Sequence, residues 1–237
     1  NTAPKDLLKN DPLSIVTENG TLELPEAALA LKGSFNVRST RELEEQWIAK
    51  LYLHNTPHCV AAYLGAYAGV THIHEAMQIE AIATVVKGAM QEMLHAVKLT
   101  YSIPETFLTW YAQKELSRFC CTLLHDPISR VAREPLRKLE PDGRLLGAAQ
   151  LCLTTGFVPE NIILGVLAAV SFQNVTDPDH HLSFLEKTLP RDIFITHILR
   201  LRKGEALERL INQRFEGLLD TLKRLLPSHQ EVKHASV

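Results

Sequence analysis

From Ser39 onward apolar side chains recur every three to four positions, and Gly69, Pro104, Gly156, Pro190 and Gly204 cut the recurrence into segments. That period is helical, and each cut falls at a residue whose backbone ends a helix, so the chain reads as a stack of helices. Ser39 and Glu42 have capping-box spacing, and Leu43, Trp47, Ile48 and Leu51 follow on one helix face. Further helices are expected over about 74–101, 104–119, 142–155, 159–172, 181–189, 191–202 and 205–226. Pro57 removes one helical hydrogen bond and pushes Thr56 away from helical angles, so the first helix should break between Leu53 and His58, the alternative being a mere kink for packing. The first forty residues differ. Ser14–Glu18 and Thr21–Leu24 are β-leaning runs around Asn19-Gly20, which predicts one small hairpin. The tail after Pro227 is polar and expected to fray.

Composition narrows the function classes. A chain of 237 residues, 46% of them hydrophobic, buries a large core. The net charge of -2, with acids and bases interspersed, argues against nucleic acid or an anionic membrane as partner. The apolar run Ile162–Phe172 is about half a bilayer span and reads as a buried helix. No leader pattern opens the chain, and Cys59, Cys120, Cys121 and Cys152 lack zinc or disulfide spacing, so a reducing cytoplasm is the expected compartment.

The densest chemistry lies in Lys50-Leu-Tyr-Leu-His-Asn55-Thr-Pro-His58. Oxidising a secondary alcohol without a metal requires a base for the hydroxyl proton and a donor that holds the alkoxide. A lysine and an asparagine can fill those roles. A free lysine titrates near 10.4, so a lysine base must drop to roughly 7–8, a difference of about 3–5 kcal/mol. Trp47, Leu51 and Leu53 are the neighbours expected to desolvate it. The bland alternative is a solvated helix lysine.

A second polar region holds Arg118, Arg130, Arg133, Arg137, Lys138 and Arg144, with Pro135 and Gly143 interrupting it. Guanidinium groups converging there could fork a phosphate, and local pairing with Asp126, Glu134, Glu140 and Asp142 is the alternative. His72 and His74, two apart at a helix start, should point different ways, so no metal site is expected. Asp177-Pro-Asp-His180-His181 reads as a loop, and Cys120-Cys121 as bystander thiols. None of the eleven glycines falls in a Gly-x-Gly-x-x-Gly turn, so no coenzyme-binding residues are expected in this chain.

Several separated motifs carry a family resemblance. They are Lys50-Leu-x-x-x-Asn55-Thr-x-His58 with Ala62-Tyr-Leu-Gly65, then Val85-Val-Lys-Gly-Ala-Met90, then Arg130-Val-x-Arg133-x-Pro135-Leu-Arg-Lys-Leu139 with Asp142-x-Arg-Leu145. In this order, between Asn10 and about Phe172, the chain resembles the C-terminal, substrate-binding domain of the polyol-specific long-chain dehydrogenases, the mannitol dehydrogenase family, and most its mannitol 1-phosphate branch. The resemblance implies a mainly α multi-helix domain like the C-terminal domain of 6-phosphogluconate dehydrogenase. Residues 1–38 would lead out of an N-terminal nucleotide-binding domain absent from this chain, and 39–237 would form the helical substrate domain. It further implies Lys50 as general base, Asn55 as oxyanion donor and His58 as substrate contact. Arg118, Arg130, Arg133, Arg137 and Lys138 become candidate substrate or phosphate ligands, and NAD the coenzyme, bound mainly by the absent domain. The implied reaction interconverts mannitol 1-phosphate and fructose 6-phosphate. Free polyols or hexuronates, and a non-catalytic helical module, remain open. The chain departs from the family pattern at Pro57, usually glycine, at His54, usually apolar, and at Cys121-Thr122, where an Asn-Pro pair is usual.

Overall fold

The computed structural model describes residues 23–25, 36–174 and 176–226. Glu23–Pro25 (β1) and Asn36–Arg38 (β2) pair in parallel, with Leu24 opposite Val37. The expected arm Ser14–Glu18 and the turn Asn19-Gly20 lie outside the described residues. Leu24, from the expected second arm, joins a parallel pairing that a two-residue turn cannot make.

Among the described residues after Arg38 the regular elements are helices, apart from one isolated bridge between His72 and Pro127. Helix α1, Thr40–Ala49, opens on the predicted capping box: the Ser39 hydroxyl accepts from the Glu42 N–H at 3.2 Å, and the Glu42 carboxylate accepts from the Ser39 N–H at 2.9 Å. The chain does not break at Pro57. Lys50–Asn55 forms a π-helical turn that runs directly into α2, Thr56–Tyr67, with Pro57 in its first turn. Thr56 keeps helical angles, φ -67 and ψ -58. Because the helix runs on from α1, Pro57 has no free helix start to occupy; the widened π turn beneath it makes room for the ring and for the N–H it lacks. The expected break is therefore a bulge, and α2 is a helix that the periodicity did not announce. Ten of its twelve residues, Thr56 to Gly65, are buried, so its sequence lacks the polar stripe by which a surface helix is read.

Ten further helices follow among the described residues, some packed on α2 and others on α4 and α9. They are α3 (Ile73–Gln78), α4 (Glu80–Thr100), α5 (Glu105–Phe119), α6 (Ile128–Ala132), α7 (Pro135–Lys138), α8 (Leu146–Thr154), α9 (Glu160–Val170), α10 (Leu182–Thr188), α11 (Arg191–Ile193) and α12 (Ala206–Leu225). Most predicted segments match, with three differences: Ile79 is extended, with ψ 110, and splits 74–101 into α3 and α4; the segment 191–202 is the short α11 followed by a π turn, Phe194–Ile198; and α6 and α7 are additional to the expected segments. Helix α2 lies against α4, α6 and α9. The α9 run, read as a buried helix, is one, and Glu92 of α4 caps it by accepting the backbone N–H groups of Asn161 and Ile162. Among the described residues no helix is long and apolar enough to cross a membrane.

The α2–α9 crossing depends on Gly165. A Cβ added there would meet Val60 Cγ2 at 2.6 Å and Val60 Cα at 3.4 Å, the latter a backbone atom that cannot step aside. Elsewhere in a helix Gly→Ala gains roughly 0.5–1 kcal/mol. Here overpacking of about 1–3 kcal/mol outweighs it, so Gly165→Ala is expected to lower the urea midpoint. A raised midpoint in equilibrium unfolding would refute the packing argument.

Candidate functional site

The π turn decides which side chains share a face. At 3.6 residues per turn, positions 50 and 55 of a regular α-helix point about 140° apart. A turn wider by about one residue brings them round to the same side. Lys50, His54, Asn55 and His58 accordingly line one cleft of about 530 Å³. Its opposite wall comes from α5, α6 and the segment around α7, which contribute Tyr111, Arg118, Arg130, Val131, Arg133, Arg137, Lys138 and Arg144. All eight residues singled out from the sequence, Lys50, Asn55, His58, Arg118, Arg130, Arg133, Arg137 and Lys138, thus meet in one cavity although up to 88 positions separate them. His54, Tyr111, Val131 and Arg144 complete the lining. No motif marked Tyr111 or Val131, because one lies on an otherwise ordinary helix and the other reads as core.

The two imidazoles are held differently. His58 Nε2 lies 2.9 Å from Asp126 Oδ2, and its ring stacks on Phe119 at 4.9 Å, 3° from parallel. Burial pushes His58 below its ordinary 6.5, against the pull of Asp126. Burial alone would raise Asp126, yet the contacts from His58 and Arg130 prevail and hold it below the usual carboxylate value. His54 Nδ1 is 2.6 Å from Glu115 Oε2, and the two histidine rings are 4.8 Å apart. Glu115 is fully buried and also accepts Arg118 Nη1 at 2.7 Å. Its carboxyl likewise stays low because His54 and Arg118 together overcome the effect of burial.

Across the cleft the cations are both paired and convergent. Arg130 bonds Asp126 through Nε at 3.1 Å, and Arg137 bonds Glu134 through Nε at 2.7 Å. The expected local pairing is therefore real, and it does not prevent the guanidinium groups from lining one cavity. Glu134 stands in the left-handed region, φ 55, and starts the short helix α7. Asp177 and Asp179 fix this segment by accepting the backbone N–H groups of Glu134 and Leu136 at 2.9 and 3.0 Å. The stretch 177–181, read as a plain loop, thus clamps the arginine-bearing segment. Lys138 is 1% exposed, donates to the Arg133 carbonyl and sits 5.8 Å from the Tyr63 ring centre. Burial, with Arg137 and Arg144 nearby, brings it down to about 8.

Two expectations are corrected. Trp47 is 79% exposed and Leu51 37%, so of the three neighbours meant to desolvate Lys50 only Leu53 is buried, and Lys50 itself is exposed. The helical pattern puts Trp47 and Leu51 on the outer side of α1 and the π turn, away from the core. His72 and His74 do not diverge: their rings are 5.4 Å apart. His72 is an extended N-cap, φ -125 and ψ 153, where residues two apart share a side as in a strand. Among the described residues no three His, Cys, Asp or Glu side chains are grouped to hold a metal ion.

Residues 43–187 match the mannitol dehydrogenase C-terminal domain. The chain belongs to that family. It is 35% identical over 150 residues to the mannitol-1-phosphate 5-dehydrogenase of Caldanaerobacter subterraneus subsp. tengcongensis, an alignment covering 62% of this chain and 39% of that protein. It is 31% identical over 229 residues to the enzyme of the same name from Thermoanaerobacter pseudethanolicus, covering 92% of this chain and 57% of the relative. The chain thus spans about two fifths to three fifths of the length of these relatives. Among solved structures it superposes on Pseudomonas fluorescens mannitol 2-dehydrogenase, a ternary complex with NAD and D-mannitol, at TM-score 0.59 and 21% identity, over 81% of this chain and 43% of that one. That likeness establishes the mainly α fold.

Proposed function

We propose that this chain is the substrate-binding and catalytic domain of an NAD-dependent dehydrogenase that interconverts mannitol 1-phosphate and fructose 6-phosphate. The observation that carries the reading is the shared cleft: an amine, a carboxamide and an imidazole on one wall and a bank of guanidinium groups on the other. Both curated relatives bear the mannitol-1-phosphate 5-dehydrogenase name, which supports the phosphorylated substrate. The domain boundary near residue 38 belongs to the same proposal, with a nucleotide-binding domain preceding the helical one.

In this reading Lys50 removes the proton from the substrate hydroxyl, Asn55 donates to the alkoxide oxygen, and His58, oriented by Asp126, bonds a neighbouring hydroxyl. Arg130, Arg133, Arg137 and Lys138, with Arg118 at the edge, hold the anionic end. The coenzyme supplies hydride acceptance from outside this chain, whose sequence offers no glycine-rich cradle for a pyrophosphate. The desolvation that Lys50 requires comes from the same source, since its own neighbours leave it exposed.

A charge-assisted hydrogen bond is worth roughly 1.5–3 kcal/mol, so two of them to phosphate favour mannitol 1-phosphate over mannitol by about 10²–10⁴ in kcat/KM. Steady-state assays of the protein carrying both domains measure that ratio. Asp126 and Glu134 already pair with Arg130 and Arg137, which favours a free polyol as the second reading. A kcat/KM higher for mannitol than for its phosphate would select it.

A further inference from the structure

Beside the proposed lysine base lies a group that neither the family pattern nor that mechanism uses. His54 faces the cleft, and its ring is tied to a carboxylate with no solvent exposure. The ionised Glu115 has only acceptors to offer, so His54 Nδ1 must carry the hydrogen in their 2.6 Å contact. In the neutral ring Nε2 then holds a lone pair, the arrangement by which a carboxylate fixes a histidine as a proton acceptor. The charged and titratable groups that share a pocket or contact with the ring are Lys50 on its own turn, His58 on α2, His74 on α3, Tyr111, Glu115 and Arg118 on α5 with Lys114 beside Glu115, Cys121 and Asp126 beyond α5, and the other cations of the opposite cleft wall.

We propose that His54 is the proton relay of the cleft, with Glu115 as its positioning residue, carrying the substrate's hydroxyl proton from Lys50 to solvent. This rests on the dehydrogenase reading above. The neutral Lys50 amine takes the hydroxyl proton and becomes an ammonium while hydride leaves the carbon for nicotinamide. The ammonium passes one proton to His54 Nε2, breaking an N–H bond on lysine and forming one on imidazole. The imidazolium, balanced by Glu115, releases it to water, and the neutral amine is restored. No other oxidant or reductant enters. The ring also borders a second, smaller pocket, lined by His74, Arg118 and Cys121 and not by Lys50.

Two measurements test this. In the 237-residue chain, long-range ¹H–¹⁵N spectra are expected to show His54 protonated at Nδ1, and an Nε2–H tautomer would overturn the proposal. In the protein carrying both domains, His54→Leu is expected to lower kcat at least about tenfold, to shift the pH profile of kcat, and to recover part of the rate with added imidazole. A wild-type rate and profile, or a loss that imidazole does not relieve and that leaves the profile unchanged, would overturn it. Glu115→Gln should free the ring to switch tautomer; should that variant not fold, the His54→Leu measurements still decide. Lys50→Ala separates the two layers: an unchanged rate there removes the lysine reading, while the tautomer is read independently of turnover.

Discussion

Replacing Lys50 by alanine, in the protein that carries both domains, should lower kcat/KM roughly 10²–10⁴-fold while leaving the helical fold intact. Both halves of that expectation come from where the residue sits. Lys50 is exposed and belongs to a π turn held by Leu53 and Thr56, which are fully buried, so removing its side chain opens no cavity. The loss must therefore be chemical. The cleft contains a second lysine, Lys138, brought by burial to about 8, which on titration alone is the better placed base. Geometry separates the two. Lys138 is 1% exposed and its ammonium is engaged by the Arg133 carbonyl, whereas Lys50 stands one turn from Asn55 and is exposed. Lys138→Met is accordingly expected to raise KM more than it lowers kcat. Far-UV circular dichroism confirms folding in each variant, and steady-state kinetics give the two constants. A wild-type rate for Lys50→Ala, or a collapse of kcat confined to Lys138→Met, would transfer the base to the buried amine.

How much of this was legible beforehand depended on where each signal sits. Capping and punctuation are local, so the ends of α1, α5, α9 and α12 follow from Ser39, Pro104, Pro159 and Gly204 without reference to the rest of the chain. The buried helix α2 carried no such signal: Cys59 to Leu64 is apolar on every side, and a period cannot be read from a segment that lacks a polar face. Pro57 misled because a proline inside a helix can either break it or be accommodated by a widened turn, and only the π turn beneath it decides which applies. The eight candidate site residues were legible through motif spacing. Most of their supports were not, because Glu115 toward His54, Asp126 toward His58, and Asp177 and Asp179 act across 43 to 68 positions and look in sequence like ordinary acids; only the local pairing of Asp126 with Arg130 could be anticipated. The exposure of Lys50 was illegible for a further reason: Trp47 and Leu51 signal burial by type, and only the direction of their helix face shows that they turn outward.

Those distant acids set the second large effect, which is on stability. Glu115 is fully buried and joins His54 and Arg118, so Glu115→Ala removes the shared partner of two groups at once. Breaking a buried pair costs roughly 3–5 kcal/mol when the remaining charge is stranded. Arg118 is 31% exposed at its side chain and can turn into the cleft, which places the expected loss near the lower end, about 3 kcal/mol. The pH dependence should follow the same groups. Glu115 and Asp126 titrate below their ordinary 4.5 and 3.8, so each adds stability that is complete above those values and drains away as pH falls through the folded ones. His58 is held below 6.5, so from about that pH downward the unfolded chain takes up its proton first, and acidification again favours unfolding. All three act in one direction but in two windows: the urea midpoint should fall below about pH 6.5 as His58 of the unfolded chain protonates, and fall again below about pH 4.5 as the carboxyls do, the second fall being less steep in Glu115→Ala, which has one fewer low carboxyl to protonate. Equilibrium unfolding at several pH values measures both slopes. A midpoint that rises on acidification, or a Glu115→Ala curve parallel to the wild type, would mean that the buried carboxylate is not what ties α5 to the histidine wall of the cleft.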